Sequence, residues 1–144
     1  MFYDNNYLAD IIYYFHILII LFIIITPFTN ITLLLILHVT FCLCLFMHWY
    51  YNSDICFLTV LECQLRGIKK INSFTYQFIK SIYNISSSKY NKLIWCTTLL
   101  MCFISIKNLY YSENIKNVII YYNNINSKIT IENIKDIIEI LQKK

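Results

Sequence analysis

The chain has 144 residues, of which 58 % are hydrophobic and 14 % charged, whereas a soluble domain carries about a quarter charged. One Gly and one Pro beside 17 % aromatics exclude disorder, collagen-like repeats and Gly-rich linkers. A lone Gly67 cannot build a dinucleotide or Walker loop. The net charge of +4 is small and its Lys residues are scattered, which argues against a nucleic-acid partner. Ile occurs 29 times and Asn 14 times, against one Ala (Ala9) and one Arg (Arg66). The skew follows AT-rich codons, so some Ile and Asn reflect codon supply and not structure.

Residues 11–53 contain no Asp, Glu, Lys or Arg, a run of 43 positions. A bilayer crossing needs about 20 apolar residues. The run therefore predicts two spanning helices, 11–26 and 31–51, with Pro27, Phe28, Thr29 and Asn30 turning between them. A buried soluble hairpin is the alternative, but a chain of this size has little with which to cover so much apolar surface. A third apolar run, 93–106, lies between Lys92 and Lys107. Its 14 residues reach about 21 Å as helix, short of a core about 30 Å thick. Snorkelling lysines and the residues that follow extend it to a span over 93–110; a re-entrant or interfacial segment is the alternative.

Aromatic belts fit this layout. Tyr13, Tyr14, Trp49, Tyr50, Tyr51 and Trp95 would share one interface, and Tyr110 and Tyr111 would mark the other. Loop 52–92 carries Arg66, Lys69, Lys70, Lys80, Lys89 and Lys92 against Asp54 and Glu62. Positive charge near membrane ends favours the cytoplasmic side, which places the N-terminus and this loop there. Asp4 and Asp10 stand where a cleavable signal would have a basic region. The first helix is therefore expected to stay attached.

Within the loop, Thr59 and Glu62 have capping-box spacing. Glu62 and Arg66 are four apart and can pair along a helix, and Gly67 can end it in a left-handed conformation. The reading is a short capped helix running back along the membrane surface. Phe74, Phe78, Ile79, Ile82 and Ile85 recur at helical spacing, which predicts an interfacial amphipathic helix over 72–85. Ser86, Ser87 and Ser88 form the break before the third span.

His48-Trp49, Asn52, Cys56, Leu58-Thr59, Glu62 and Leu65-Arg66 resemble a signature of small multi-pass membrane proteins of large DNA viruses. Its form is H-W-x-x-N-x-x-x-C-x-L-T-x-x-E-x-x-L-R, and bacterial relatives carry C-P-L-T-x-x-E-x-x-L-R. Phe57 stands where the bacterial pattern has Pro. The resemblance covers residues 48–66, with general hydropathy over 11–106, and its family is uncharacterised. It implies a fold and a compartment and carries no catalytic role. His48, Trp49, Asn52, Cys56, Leu58, Thr59, Glu62 and Arg66 are accordingly read as a structural or docking loop.

Residues 108–144 are of different composition, without Cys, His or Trp. Residues 118–122 and 128–131 have β-rich composition around an Asn-rich turn. Ile131, Ile134, Ile137, Ile138 and Leu141 then trace one face of a helix. A small packed appendage is expected; a disordered tail is the alternative.

Histidines and cysteines inside apolar segments are the residues on which chemistry would rest. His38 pairs with Cys42, and Cys44 with His48, at i,i+4 spacing, but on different faces of one helix. His16, His48, Cys56, Glu62 and Cys63 can gather at the membrane edge. That set, with His38, supplies the candidates for metal ligation or for thiol-and-base chemistry. Interhelical hydrogen bonding and small-residue packing account for the same residues without chemistry. No cofactor is expected. The reading is an all-α membrane protein, a helical hairpin plus a third transmembrane helix with an interfacial helical loop. Residues 1–107 form the membrane domain and 108–144 a small C-terminal appendage. Its function is read as a non-enzymatic viral structural or membrane-organising component. The alternative is a membrane-embedded metal, haem or thiol enzyme. The expected partners are the lipid bilayer and a protein partner or second copy met through the spanning helices.

Overall fold

The computed structural model describes residues 5–53, 55–68, 87–124 and 131–142, and every element among them is helical. Helix α1 (Asn5–Ile25) leads through a 3₁₀ turn (Thr26–Phe28) into α2 (Thr32–Tyr51). Helix α3 (Phe57–Arg66) follows, then α4 (Ser87–Tyr111), α5 (Glu113–Asn124) and α6 (Ile131–Gln142). Segments Tyr7–Phe28, Thr32–Tyr51 and Lys89–Tyr111 are each long and apolar enough to cross a membrane. The amphipathic helix expected over 72–85 lies outside the described residues.

The third long helix differs from its expectation. It starts at Ser87, so Ser87 and Ser88 belong to it and do not break the chain before it. Its 25 residues reach about 37 Å, which removes the shortfall of the 14-residue apolar run. Lys89 and Lys92 lie in its first two turns, where their stems can lie along the helix.

Pro27 shapes the hairpin. A helix bonds each N–H to the carbonyl four residues back, and Pro27 has no N–H to offer Ile23. The chain tightens into the 3₁₀ turn, where the Thr29 N–H and hydroxyl both donate to Thr26 O, at 3.0 and 2.8 Å. Asn108 of α4 donates its amide to Pro27 O at 2.8 Å. This fixes α4 against the turn.

Helices α2 and α4 pack along their length. Their shared core holds Trp95 stacked on Phe46 at 5.4 Å between ring centroids and tilted against Trp49, also at 5.4 Å. Phe22 of α1 meets Phe41 edge-on at 5.6 Å. Helix α3 folds back onto α1. Ala9, the single alanine, is fully buried, as a close helix approach needs a small side chain. The bundle is inverted relative to a water-soluble one. Leu37 and Phe103 are 57 % and 67 % exposed, while His38, Thr98 and Ser105 are buried.

The described tail residues 113–124 and 131–142 are helical, where residues 118–122 are expected as a strand; residues 128–130 of the second β-rich run lie outside the described residues. Ser112 precedes α5 and its carbonyl accepts from the Lys116 N–H at 3.3 Å. Glu113 sits in the first turn, where a carboxylate favours the helix dipole. Ile115, Val118 and Tyr121 then recur on the less exposed face. The helical period of the apolar positions prevails over their β-branched composition. Tyr121 donates to Asp136 at 2.5 Å, joining α5 to α6. Thr32, at the start of α2, lies 3.0 Å from the Ser112 hydroxyl and accepts from Asn114 at 3.2 Å. The tail is thus anchored at the turn end of the bundle. On α6, Ile137 is half-buried whereas Ile134 and Ile138 of the expected stripe are exposed.

Candidate functional site

The site is built around the return of α3 onto α1. After α2 ends at Tyr51, Cys56 is the N-cap of α3, in extended backbone conformation, and its side chain makes no cap hydrogen bond. The expected Thr59–Glu62 capping box is therefore not formed: Thr59 is the third residue of the helix. The cap comes from α2, where Nε2 of His48 accepts the Phe57 N–H at 3.1 Å. A neutral imidazole that accepts at Nε2 must donate at Nδ1. Asn52 Nδ2 lies 3.0 Å from that nitrogen, and exchanging the amide's oxygen and nitrogen gives Nδ1–H the acceptor it needs. Gly67 ends α3 at φ +64°, with Ile68 N–H to Cys63 O at 3.0 Å and Gly67 N–H to Gln64 O at 3.2 Å. This is the paired termination that a left-handed glycine allows.

Cys56 and Arg66, at opposite ends of α3, both reach α1. Arg66 donates to Asp10 at 2.6 Å and to Glu62 at 3.2 Å. These bonds, the one to Asp10 foremost, raise the Arg66 pKa above its ordinary value. At the other end, Cys56 Sγ lies 3.8 Å from Nε2 of His16. The helices therefore run antiparallel, with Asp10 beside Arg66 and His16 beside Cys56. Glu62 and Cys63 are buried between them, Glu62 at 1 % exposure. Two buried polar atoms on this seam have no hydrogen-bond partner among the described residues, Nδ1 of His16 and Oε2 of Glu62.

A second polar node ties the three long helices together. Nε2 of His38 is 3.1 Å from Ile23 O, the carbonyl left free by Pro27. Since a carbonyl only accepts, Nε2 carries the proton and Nδ1 accepts from the Ser105 hydroxyl at 2.9 Å. Cys42 Sγ sits 3.6 Å from the same ring.

The gathered set of candidates thus divides. His16, Cys56, Glu62 and Cys63 share the α1–α3 seam. His48 turns away to cap α3, His38 stays in the interior, and Cys44 is exposed without meeting His48. Trp49 is buried against Trp95, while Leu58 and Thr59 are half-buried on α3. None of the six cysteines is in a disulfide, and among the described residues no three His, Cys, Asp or Glu side chains are grouped to hold a metal ion. The sequence alone does not point to Asp10 as the partner of Arg66, to Ser105 as the partner of His38 on α2, or to Asn108 as the partner of the Pro27 turn. Each is a lone polar residue at the edge of or within an apolar run, which is the signal that marks them.

These features define a class: three apolar helices with polar residues turned inward, clasped by a short amphipathic helix whose two ends are pinned to the first and second. Residues 6–111 match the family described as Protein of Unknown function (DUF2784), and the chain belongs to that family. No curated protein and no solved structure matches it.

Proposed function

We propose that the chain is an integral membrane protein with three crossings that serves as a non-enzymatic, membrane-organising component. The observation that carries this reading is the inverted packing. Large apolar side chains cover the outside of the three long helices, and the histidine and hydroxyl groups pair inside. Lipid rewards that arrangement and water does not, since backbone and side-chain polar groups in a bilayer must be satisfied within the protein. Residues 1–107 then form the membrane domain and 108–144 an appendage on the far side. Positive charge in loop 52–92 supports a cytoplasmic N-terminus and α3. The AT-rich codon skew and Phe57 in the signature support an origin in a large DNA virus. The bilayer, and a protein partner docked on α3 or a second copy, are the partners proposed.

Alkaline carbonate extraction of membranes tests the assignment. The protein is expected to remain in the pellet, and release into the supernatant overturns it. Arg66 keeps its charge under these conditions, so loss of the α3 clamp through that side chain does not confuse the outcome.

The orphaned atoms of His16 and Glu62 support a second reading, a haem or thiol enzyme using His16, Cys56 and Glu62. Metal analysis and an absorption spectrum of detergent-purified protein separate the two readings. A haem band with its stoichiometric metal favours the second; metal-free protein with full helical circular dichroism favours the first.

A further inference from the structure

Cys56 differs from the other five thiols. Cys42, Cys63 and Cys102 are buried and Cys44 and Cys96 are exposed, whereas Cys56 is half-buried at the open end of the α1–α3 seam. Its sulfur contributes no cap bond to α3 and faces Nε2 of His16 at 3.8 Å. His16 is nine-tenths buried, and among the described residues its Nδ1 lacks a partner, as does Oε2 of the buried Glu62 on the same seam. One of these atoms can donate and the other can only accept while ionised. A proton on Nδ1, shared with Glu62 across one water, satisfies both. It leaves the lone pair of Nε2 facing the thiol, the arrangement in which a base activates a nucleophile. The first-turn amides of α3 have no acceptor within their own helix. The Phe57 N–H is taken by His48 Nε2, and the amides that follow it in that turn favour negative charge near Cys56. The outward face of α1 nearby is apolar, with Tyr14, Phe15 and Leu18 exposed.

We propose that Cys56 is an S-acylation site that accepts a long-chain acyl group directly from an acyl thioester, with His16 as the base. The proposal rests on the membrane reading, because the acyl chain needs a bilayer to enter. Nε2 of His16 takes the thiol proton as the Cys56 sulfur bonds to the thioester carbonyl carbon. The oxyanion collapses, the donor's carbonyl carbon–sulfur bond breaks, and the departing thiolate takes the proton from His16. One thioester replaces another, with no net oxidation. The acyl chain then adds a lipid anchor to α3.

Full-length protein in detergent is incubated with palmitoyl-coenzyme A at neutral pH and followed by intact mass. One acyl group per chain is expected, removed by neutral hydroxylamine, absent in Cys56→Ser and retained in Cys44→Ser and Cys96→Ser. His16→Gln is expected to slow labelling at least about tenfold with unchanged helical circular dichroism. Labelling of Cys44 or Cys96 as fast as Cys56, no labelling at all, or an undiminished rate in His16→Gln overturns the proposal. Carbonate extraction of Cys56→Ser separates it from the reading beneath. Retention in the pellet with no labelling of the wild type removes only the acylation site, and release removes the membrane reading.

Discussion

His38 and Pro27 show how one backbone defect recruits a side chain from another helix. Removing the imidazole leaves Ile23 O and the Ser105 hydroxyl without partners in a buried site, and interhelical hydrogen bonds in bilayers are each worth up to about 1.7 kcal/mol. His38→Ala is therefore expected to cost about 2 kcal/mol in a denaturing-detergent titration. In Pro27→Ala the restored N–H can bond Ile23 O, so the same His38→Ala change should cost about half as much. Equal costs in both backgrounds would show that the proline is not what the histidine serves. At the α3 end, Arg66 offers a contrast in magnitude. Asp10 is largely exposed, and such pairs contribute about 0–1 kcal/mol, so Asp10→Asn is expected to be mild. Arg66→Ala also strips the buried Glu62 carboxylate of its cation and should cost about 3 kcal/mol, with Arg66→Ala/Glu62→Gln recovering part of that loss in the same titration. The Glu62–Arg66 pair was legible from its four-residue spacing. Asp10 was not, because nothing local in the sequence says which helix α3 lies against.

The short clasp helix α3 is terminated by different means at its two ends, and the two differ in how visible they were. Gly67 carried its meaning locally: a lone glycine after an amphipathic turn adopts φ +64°. A side chain there meets no neighbouring atom among the described residues, so Gly67→Ala is expected to cost the backbone strain, about 1 kcal/mol. Gly67→Asn should cost less. The N-terminal end depends on a side chain nine positions back, and a local capping rule pointed instead to Thr59. His48→Ala is expected to destabilise α3 by about 1 kcal/mol, seen as faster hydrogen exchange at the Phe57 amide and its neighbours while α1, α2 and α4 exchange as before. Uniform acceleration across all helices would contradict a local cap. The tail illustrates the opposite limit. Its β-rich composition misled because isoleucine abundance is not a strand signal when codon supply drives it, while the helical spacing of Ile115, Val118 and Tyr121 was present throughout.

On the scale of the whole molecule, the hairpin and the third long helix were readable because a charge-free run and its flanking lysines are properties of composition and length. The pairing of those helices was not readable, since it rests on lone polar residues whose partners lie far away in sequence, such as Asn108 at the Pro27 carbonyl and Ser112 at Thr32. Together these contacts place α5 and α6 at the turn end of the bundle and α3 at the opposite end. If the three long helices cross a membrane as proposed, the exposed positions Gln64 on α3 and Lys116 on α5 must face opposite compartments. With the native cysteines replaced, Gln64→Cys in intact cells should resist a membrane-impermeant maleimide until the membrane is permeabilised, and Lys116→Cys should react at once. The reverse pattern would keep three crossings but invert the orientation argued from the loop charges. Equal reactivity of both sites in intact cells would place them on one side. Three complete crossings cannot do that, so α4 would then have to be an interfacial or re-entrant segment despite its length of 25 residues.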